Sequence, residues 1–215
     1  KKCFSMSVQL TNNLLTKIKI LLTMNKLILQ GYKSGDKNGG PTELAKILSE
    51  SLIACNKFDK NDLVERFHHW WKTDAFDTGP TFAMVFQKLS QGIHVDEAYI
   101  KVNQELKGAT AGCGPAHRIA PLAAFKKIPT NKLVDYARQE ARITHYHPDA
   151  GNCSGVMALL CRYLLEGYSW RDSKDLVSKD DTTKDIWDKI QNANLNNGGY
   201  VLDVMHTAFH FLDKD

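Results

Sequence analysis

The sequence predicts an all-α fold in one domain, and three observations carry that prediction. Apolar residues recur at helical spacing after Met24, as in Leu44, Ile47, Leu48, Leu52 and again in Leu63, Phe67, Trp70, Trp71. Convincing period-two alternation is absent, and polar clusters of Gly, Asn, Asp and Ser fall between the apolar stretches. The 215 residues are 43% hydrophobic, enough for one domain with a sizeable core. No internal repeat of roughly 20–50 residues argues for a solenoid.

The elements follow in order. Lys26–Tyr32 reads as a short helix, broken by the turn-rich run Ser34-Gly-Asp-Lys-Asn-Gly-Gly-Pro41. Thr42 is the expected N-cap of a helix through Ala54, and Asp59 or Asn61 starts the next. Further helices fit Pro80–Ser90, Val95–Leu106, Ala116–Phe125, Thr130–Ile143, Ala150–Glu166, Thr182–Ala193 and Tyr200–Leu212. Asp180 and Asp181, ahead of Thr182, suit an N-cap that complements the helix dipole. In His68-His69-Trp70-Trp71 adjacent positions point in different directions, so the tryptophans are expected in the core and the histidines in solvent. His206 and His210 share a helix face, but no third metal ligand is in view.

Composition narrows the classes. The 28 basic and 24 acidic residues leave a net charge of +4 spread along the chain, which implies no nucleic-acid patch. Residues 14–29 are apolar-rich, yet Lys17, Lys19 and Lys26 interrupt them, so no membrane span is expected. They lack a small-residue cleavage site of the secretory kind. Residues 1–24 are expected to be an appended or flexible leader, and residues 25–215 a single helical domain. Five cysteines, odd in number and without a CxxC pair, point to a reducing cytoplasm rather than a disulfide framework or zinc site.

The chemistry concentrates in two stretches. Between Lys107 and Pro121, Gly108, Gly112 and Gly114 are expected to give the backbone positive φ and close approach to a ligand. Pro115 fits the first turn of the helix that follows. A glycine loop feeding a helix N-terminus favours phosphate or pyrophosphate. In Ile143-Thr-His-Tyr-His-Pro-Asp-Ala150, Thr144 and His145 end one helix just before another, and two such junctions would make a cleft.

Four segments, in this order, resemble the ADP-ribosylglycohydrolase family, which includes dinitrogenase-reductase-activating glycohydrolases and J1 crystallins. Gly31-Tyr-Lys-Ser-Gly-Asp-Lys-Asn-Gly-Gly-Pro-Thr-Glu43 is similar to its opening signature, G-x-x-x-G-D-x-x-G-x-P-x-E. Gly112-Cys-Gly-Pro-Ala-His-Arg-Ile-Ala-Pro121 is similar to G-N-G-x-x-M-R-x-A-P. Thr144-His-Tyr-His-Pro148 and Gly198-Gly-Tyr-Val-Leu-Asp203 match later segments, the last lining the sugar side of the family's site. The resemblance implies an orthogonal multi-helix bundle, a partner that is ADP-ribose or an ADP-ribosylated substrate, and magnesium as cofactor. It implies ligand contacts at Thr110, Gly112, Cys113, Gly114, Arg118 and His145, with Asp36 orienting the opening loop. A monomer is expected.

The chain also departs from that family. The family's carboxylates come from an Asp pair before the first long helix and an Asp-x-Asp segment near the C-terminus, and hard cations need such oxygen clusters. With that helix aligned, Gly40 and Pro41 fall where the Asp pair belongs, and Asp213 and Asp215 read as a polar tail. Metal ligands and catalytic residues are therefore not identified, and the sequence looks like a truncated or divergent member. Cys113 replaces the family's Asn and reads as a small buried thiol rather than a nucleophile. Arg118 fits a structural ion pair as well as a phosphate contact, and His145 fits a helix-terminal role as well as a ligand contact. The resemblance implies first a hydrolase, seen incompletely, that cleaves the glycosidic bond between ADP-ribose and a modified side chain or small molecule with magnesium assistance. The alternatives are an inactive ADP-ribose-binding module and a crystallin-like structural protein.

Overall fold

The computed structural model describes Lys33–Ser34, Lys37–Asn38, residues 39–196 and residues 198–213. The expected helix Lys26–Tyr32, the leader, Asp36 and Asp215 lie outside the described residues. Lys33–Ser34 (β1) and Lys37–Asn38 (β2) form a two-residue antiparallel pair, Lys33 opposite Asn38. The rest is helical. In order come α1 (Gly40–Cys55), α2 (Lys60–Thr73), α3 (Pro80–Ser90), α4 (Val95–Glu105), α5 (Gly114–Arg118) and α6 (Ala120–Ala124). A 3-10 turn, Thr130–Lys132, leads into α7 (Leu133–Ala141), followed by α8 (Pro148–Leu165), α9 (Trp170–Lys179), α10 (Lys184–Gln191) and α11 (Val201–Leu212). Among the described residues no helix is long and apolar enough to cross a membrane.

The bundle is assembled around α8, which packs against α5, α6, α7, α9, α10 and α11. Ala150, Cys153, Val156, Ala158, Leu159 and Leu160 are all buried, so this helix is apolar on most sides, as a central helix must be. Small residues bring its neighbours close: a Cβ added at Gly155 would lie 2.8 Å from Val134 Cγ1 on α7. Arg162, near its C-terminal end, is buried, and its guanidinium donates to the carbonyls of Ala123 at 2.7 Å and Ile128 at 3.1 Å. One side chain thus satisfies backbone acceptors that the α6–α7 connection would otherwise leave unpaired.

Several elements differ from the sequence reading. Helix α1 begins at Gly40 with Gly39 as N-cap, and Thr42 is buried inside its first turn instead of capping it. Pro41 explains the earlier start, because its fixed φ is preset for the first turn. The helix expected over Ala116–Phe125 is two, divided at Ile119, because Pro121 has no N–H to give to the carbonyl four residues back. Helix α9 is absent from the sequence reading: only Ser173 and Val177 are buried on it and its composition is mostly polar, so the run offers few apolar residues to read. Its start carries a serine N-cap all the same, Ser169 Oγ accepting from Asp172 N at 3.1 Å. Asp180 ends α9 and turns the chain, its Oδ1 accepting from Thr182 N at 2.8 Å, while α10 starts only at Lys184.

The connection before α3 rests directly on α1. A Cβ at Gly40 would lie 2.2 Å from the carbonyl oxygen of Asp77 and 2.8 Å from that of Phe76. Asp77 itself takes a φ of 53°, an uncommon value for a residue with a side chain. Gly40→Ala should therefore destabilise the fold by about 1–3 kcal/mol through overpacking, although alanine is the better helix former. Urea denaturation reads this, and a variant as stable as the parent would show that the connection yields freely.

Candidate functional site

Helix α4 ends in two left-handed residues, Lys107 (φ 51°) and Gly108 (φ 85°). Gly108 N donates to Asn103 O at 2.8 Å and Lys107 N to Gln104 O at 3.0 Å, the paired bonds of a Schellman end. Of the three glycines expected to need positive φ, only Gly108 takes it. Gly112 and Gly114 serve close packing instead. A Cβ at Gly112 would lie 3.0 Å from His145 Nε2, and one at Gly114 3.6 Å from His145 Cε1.

The loop is held from two sides. Thr110 is fully buried; its hydroxyl donates to Asn103 Oδ1 at 2.6 Å and accepts from His147 N at 3.1 Å. It therefore joins the glycine loop to the start of α8 and is not among the residues lining the cavity. On the other side Gly112 and Tyr200 form an antiparallel bridge, with Cys113 N donating to Gly199 O at 3.2 Å and Val201 N to Ala111 O at 2.9 Å. The segment before α11 is thus attached to the loop through main-chain bonds.

A cavity of about 590 Å³ opens beside this junction. Gly112, Cys113, Gly114, Arg118 and His145 line it, so five of the six expected residues meet at one place and Thr110 supports them from behind. Asp77, Gly79, Pro80, Phe82, His147 and Tyr200 are among the other lining residues. Cys113 is half-buried, and burial pushes its thiol pKa up, which keeps it protonated and unsuited to nucleophilic attack.

Behind the wall is a buried polar chain. Arg118 and Glu140 are 1% and 0% exposed, with Arg118 Nε donating to Glu140 Oε1 at 2.5 Å. Arg118 Nη2 donates to Thr144 Oγ1 at 2.9 Å, and Thr144 Oγ1 lies 2.7 Å from His145 Nδ1. Desolvation, and then the nearby Arg118 charge, push the His145 pKa down to about 3, so its ring is neutral at physiological pH. The ion-pair role of Arg118 is thus visible, and its charge is largely compensated by Glu140.

Among the wall residues, Tyr200 falls in the matched Gly198–Asp203 segment without being singled out there, and Asp77 falls in none of the four segments. Tyr200 OH donates to the buried Asp149 Oδ2 at 3.1 Å, and Lys189 Nζ lies 3.3 Å from Asp149 Oδ1. Burial, and then the bond to Asp149, push the Tyr200 phenol up to about 12. Asp77 reaches the cavity through the connection that packs on Gly40. Its neighbours Thr78-Gly-Pro80 signal a turn, but nothing in their spacing points to Gly112.

The described residues do not fit a two-magnesium centre. Among them no group of three or more His, Cys, Asp or Glu could hold a metal ion. Asp77 is the carboxylate among the lining residues, and both oxygens of Asp149 already have partners. Gly40, aligned with one of the family's aspartates, has carbonyl oxygens where a side chain would begin.

Comparison with known proteins agrees with the four matching segments. The family model described as ADP-ribosylglycohydrolase matches residues 24–214. An uncharacterized protein of Archaeoglobus fulgidus is 28% identical over 137 residues, which are 60% of this chain and 42% of that protein. The ADP-ribosyl-[dinitrogen reductase] glycohydrolase of Rhodospirillum rubrum is 23% identical over 171 residues, 79% of this chain and 55% of that one. The chain thus spans about half the length of these curated relatives. With every described helix inside the matched region, this chain belongs to the ADP-ribosylglycohydrolase family.

Proposed function

We propose that the cleft binds the ADP-ribosyl group and that the described residues hold it without a metal ion. The observation that carries this reading is the joining of the glycine loop, His145 and Tyr200 around one cavity of about 590 Å³. That volume lies within the range of roughly 300–1,000 Å³ usual for small-molecule sites. Phe82 and Tyr200 offer apolar ring faces for a nucleoside. Two helices, α1 and α3, start at the cavity with glycine N-caps and no side-chain cap, so their positive ends favour an anionic diphosphate.

A second reading is supported by the relative named as a glycohydrolase and by the length of that protein beyond the match. In a longer polypeptide the same cleft would serve removal of ADP-ribose from a modified side chain, with magnesium held by residues not described here. Titration calorimetry of the chain with ADP-ribose, with and without magnesium, tests the choice. The expected result is a Kd on the order of 0.1–1 mM that magnesium leaves unchanged. Metal-enhanced binding would overturn the metal-free reading, and an absence of binding would leave the crystallin-like structural role.

A further inference from the structure

We propose that Thr144 and Arg118 are positioning residues that fix His145 in the tautomer carrying its proton on Nε2, so that His145 offers a hydrogen-bond donor to an acceptor oxygen in the cleft. A single hydroxyl proton decides the tautomer. Arg118 can only donate, so at 2.9 Å from its Nη2 the Thr144 oxygen is an acceptor. The hydroxyl proton then has two places to go: Ala141 O at 3.4 Å or His145 Nδ1 at 2.7 Å. Ala141 O already accepts from Thr144 N at 3.1 Å and from His145 N at 2.8 Å, which occupies both of its lone pairs. The short contact to Nδ1 therefore receives the proton. A neutral imidazole that accepts at Nδ1 carries its hydrogen on Nε2.

Two further observations agree. The guanidinium charge next to Thr144 disfavours an N–H dipole directed toward it from Nδ1. Nε2 lies 3.0 Å from the Cβ position that Gly112 leaves empty, so the donor faces the loop that forms the cavity floor. Glu140 completes the chain by holding Arg118 Nε, which keeps the guanidinium fork in place. Any ligand group opposite Nε2 must then present a lone pair, as a phosphate, ribose or carbonyl oxygen does, and a protonated amine would be refused.

The tautomer needs no ligand for its test, while the identity of the acceptor rests on the ADP-ribose reading above. The whole chain, labelled with nitrogen-15 histidine, should show His145 with an unprotonated Nδ1 and a protonated Nε2. Thr144→Val, which keeps the shape and removes the hydroxyl, should shift that signature toward a mixture and weaken ADP-ribose binding roughly threefold to tenfold. Thr144→Ser should restore both. A wild-type signature with the proton on Nδ1 overturns the proposal outright. So does a valine variant that loses affinity with its tautomer unchanged, or a serine variant that rescues neither. Should ADP-ribose fail to bind the wild type, the spectrum of the free chain still decides the tautomer, and only the ligand reading is lost.

Discussion

Arg118→Met destabilises the protein by about 3–5 kcal/mol, because removing one member of a buried ion pair leaves the other charge without compensation. The substitution keeps most of the side-chain volume at a fully buried position between α5 and α7. The loss has a defined pH dependence. Burial already raises the Glu140 pKa, and Arg118 opposes that rise. Without Arg118 the folded-state value moves further above the unfolded value near 4.5. A group whose folded pKa is raised contributes stability below the unfolded pKa and loses it as pH climbs through the folded one. Urea unfolding should therefore show a larger deficit, relative to the parent, at pH 8 than at pH 5. A deficit under about 1 kcal/mol, or one equal at both pH values, would mean the pair carries no uncompensated charge when broken.

Phe67→Ala is expected to destabilise to a similar degree, about 3–5 kcal/mol, for a different reason. Phe67 is fully buried on α2, with edge-on contacts to Phe82 at 6.1 Å and Phe86 at 6.3 Å between ring centroids. The Arg118 guanidinium carbon lies 5.4 Å from the same ring, so the cavity left by alanine also removes a cation–π contact. Phe67→Leu, which fills most of the space, should lose less than about 1.5 kcal/mol. Thermal and urea unfolding of both variants check this, and equal losses would show that volume is not the deciding quantity. Because Phe82 also lines the cleft, the alanine variant should bind ADP-ribose more weakly as well.

How much could be read in advance depended on how local the cause was. Pro80–Ser90 was legible to the residue, because a proline start and an apolar face are both short-range signals. The division at Ile119 was legible in principle, since Pro121 alone forbids the missing bond, and helical spacing masked it. Helix α9 escaped because it buries only two residues, so its existence depends on its cap and on what it packs against. The candidate site shows the same split. The glycine loop and the Thr144–His145 pair stood out by composition, whereas Tyr200, Asp77 and the Glu140 partner of Arg118 did not.

By itself the sequence determined an all-α domain and a glycine loop placed ahead of a helix, since both follow from spacing within a few residues. Only the tertiary structure decided that Gly112 and Gly114 make room for His145, and that Arg118 answers to Glu140. It likewise decided that Gly40 has no room for a side chain. Those outcomes turn on contacts between segments 22 to 37 residues apart. Such contacts are set by which faces the helices bury together, and no local pattern encodes that choice.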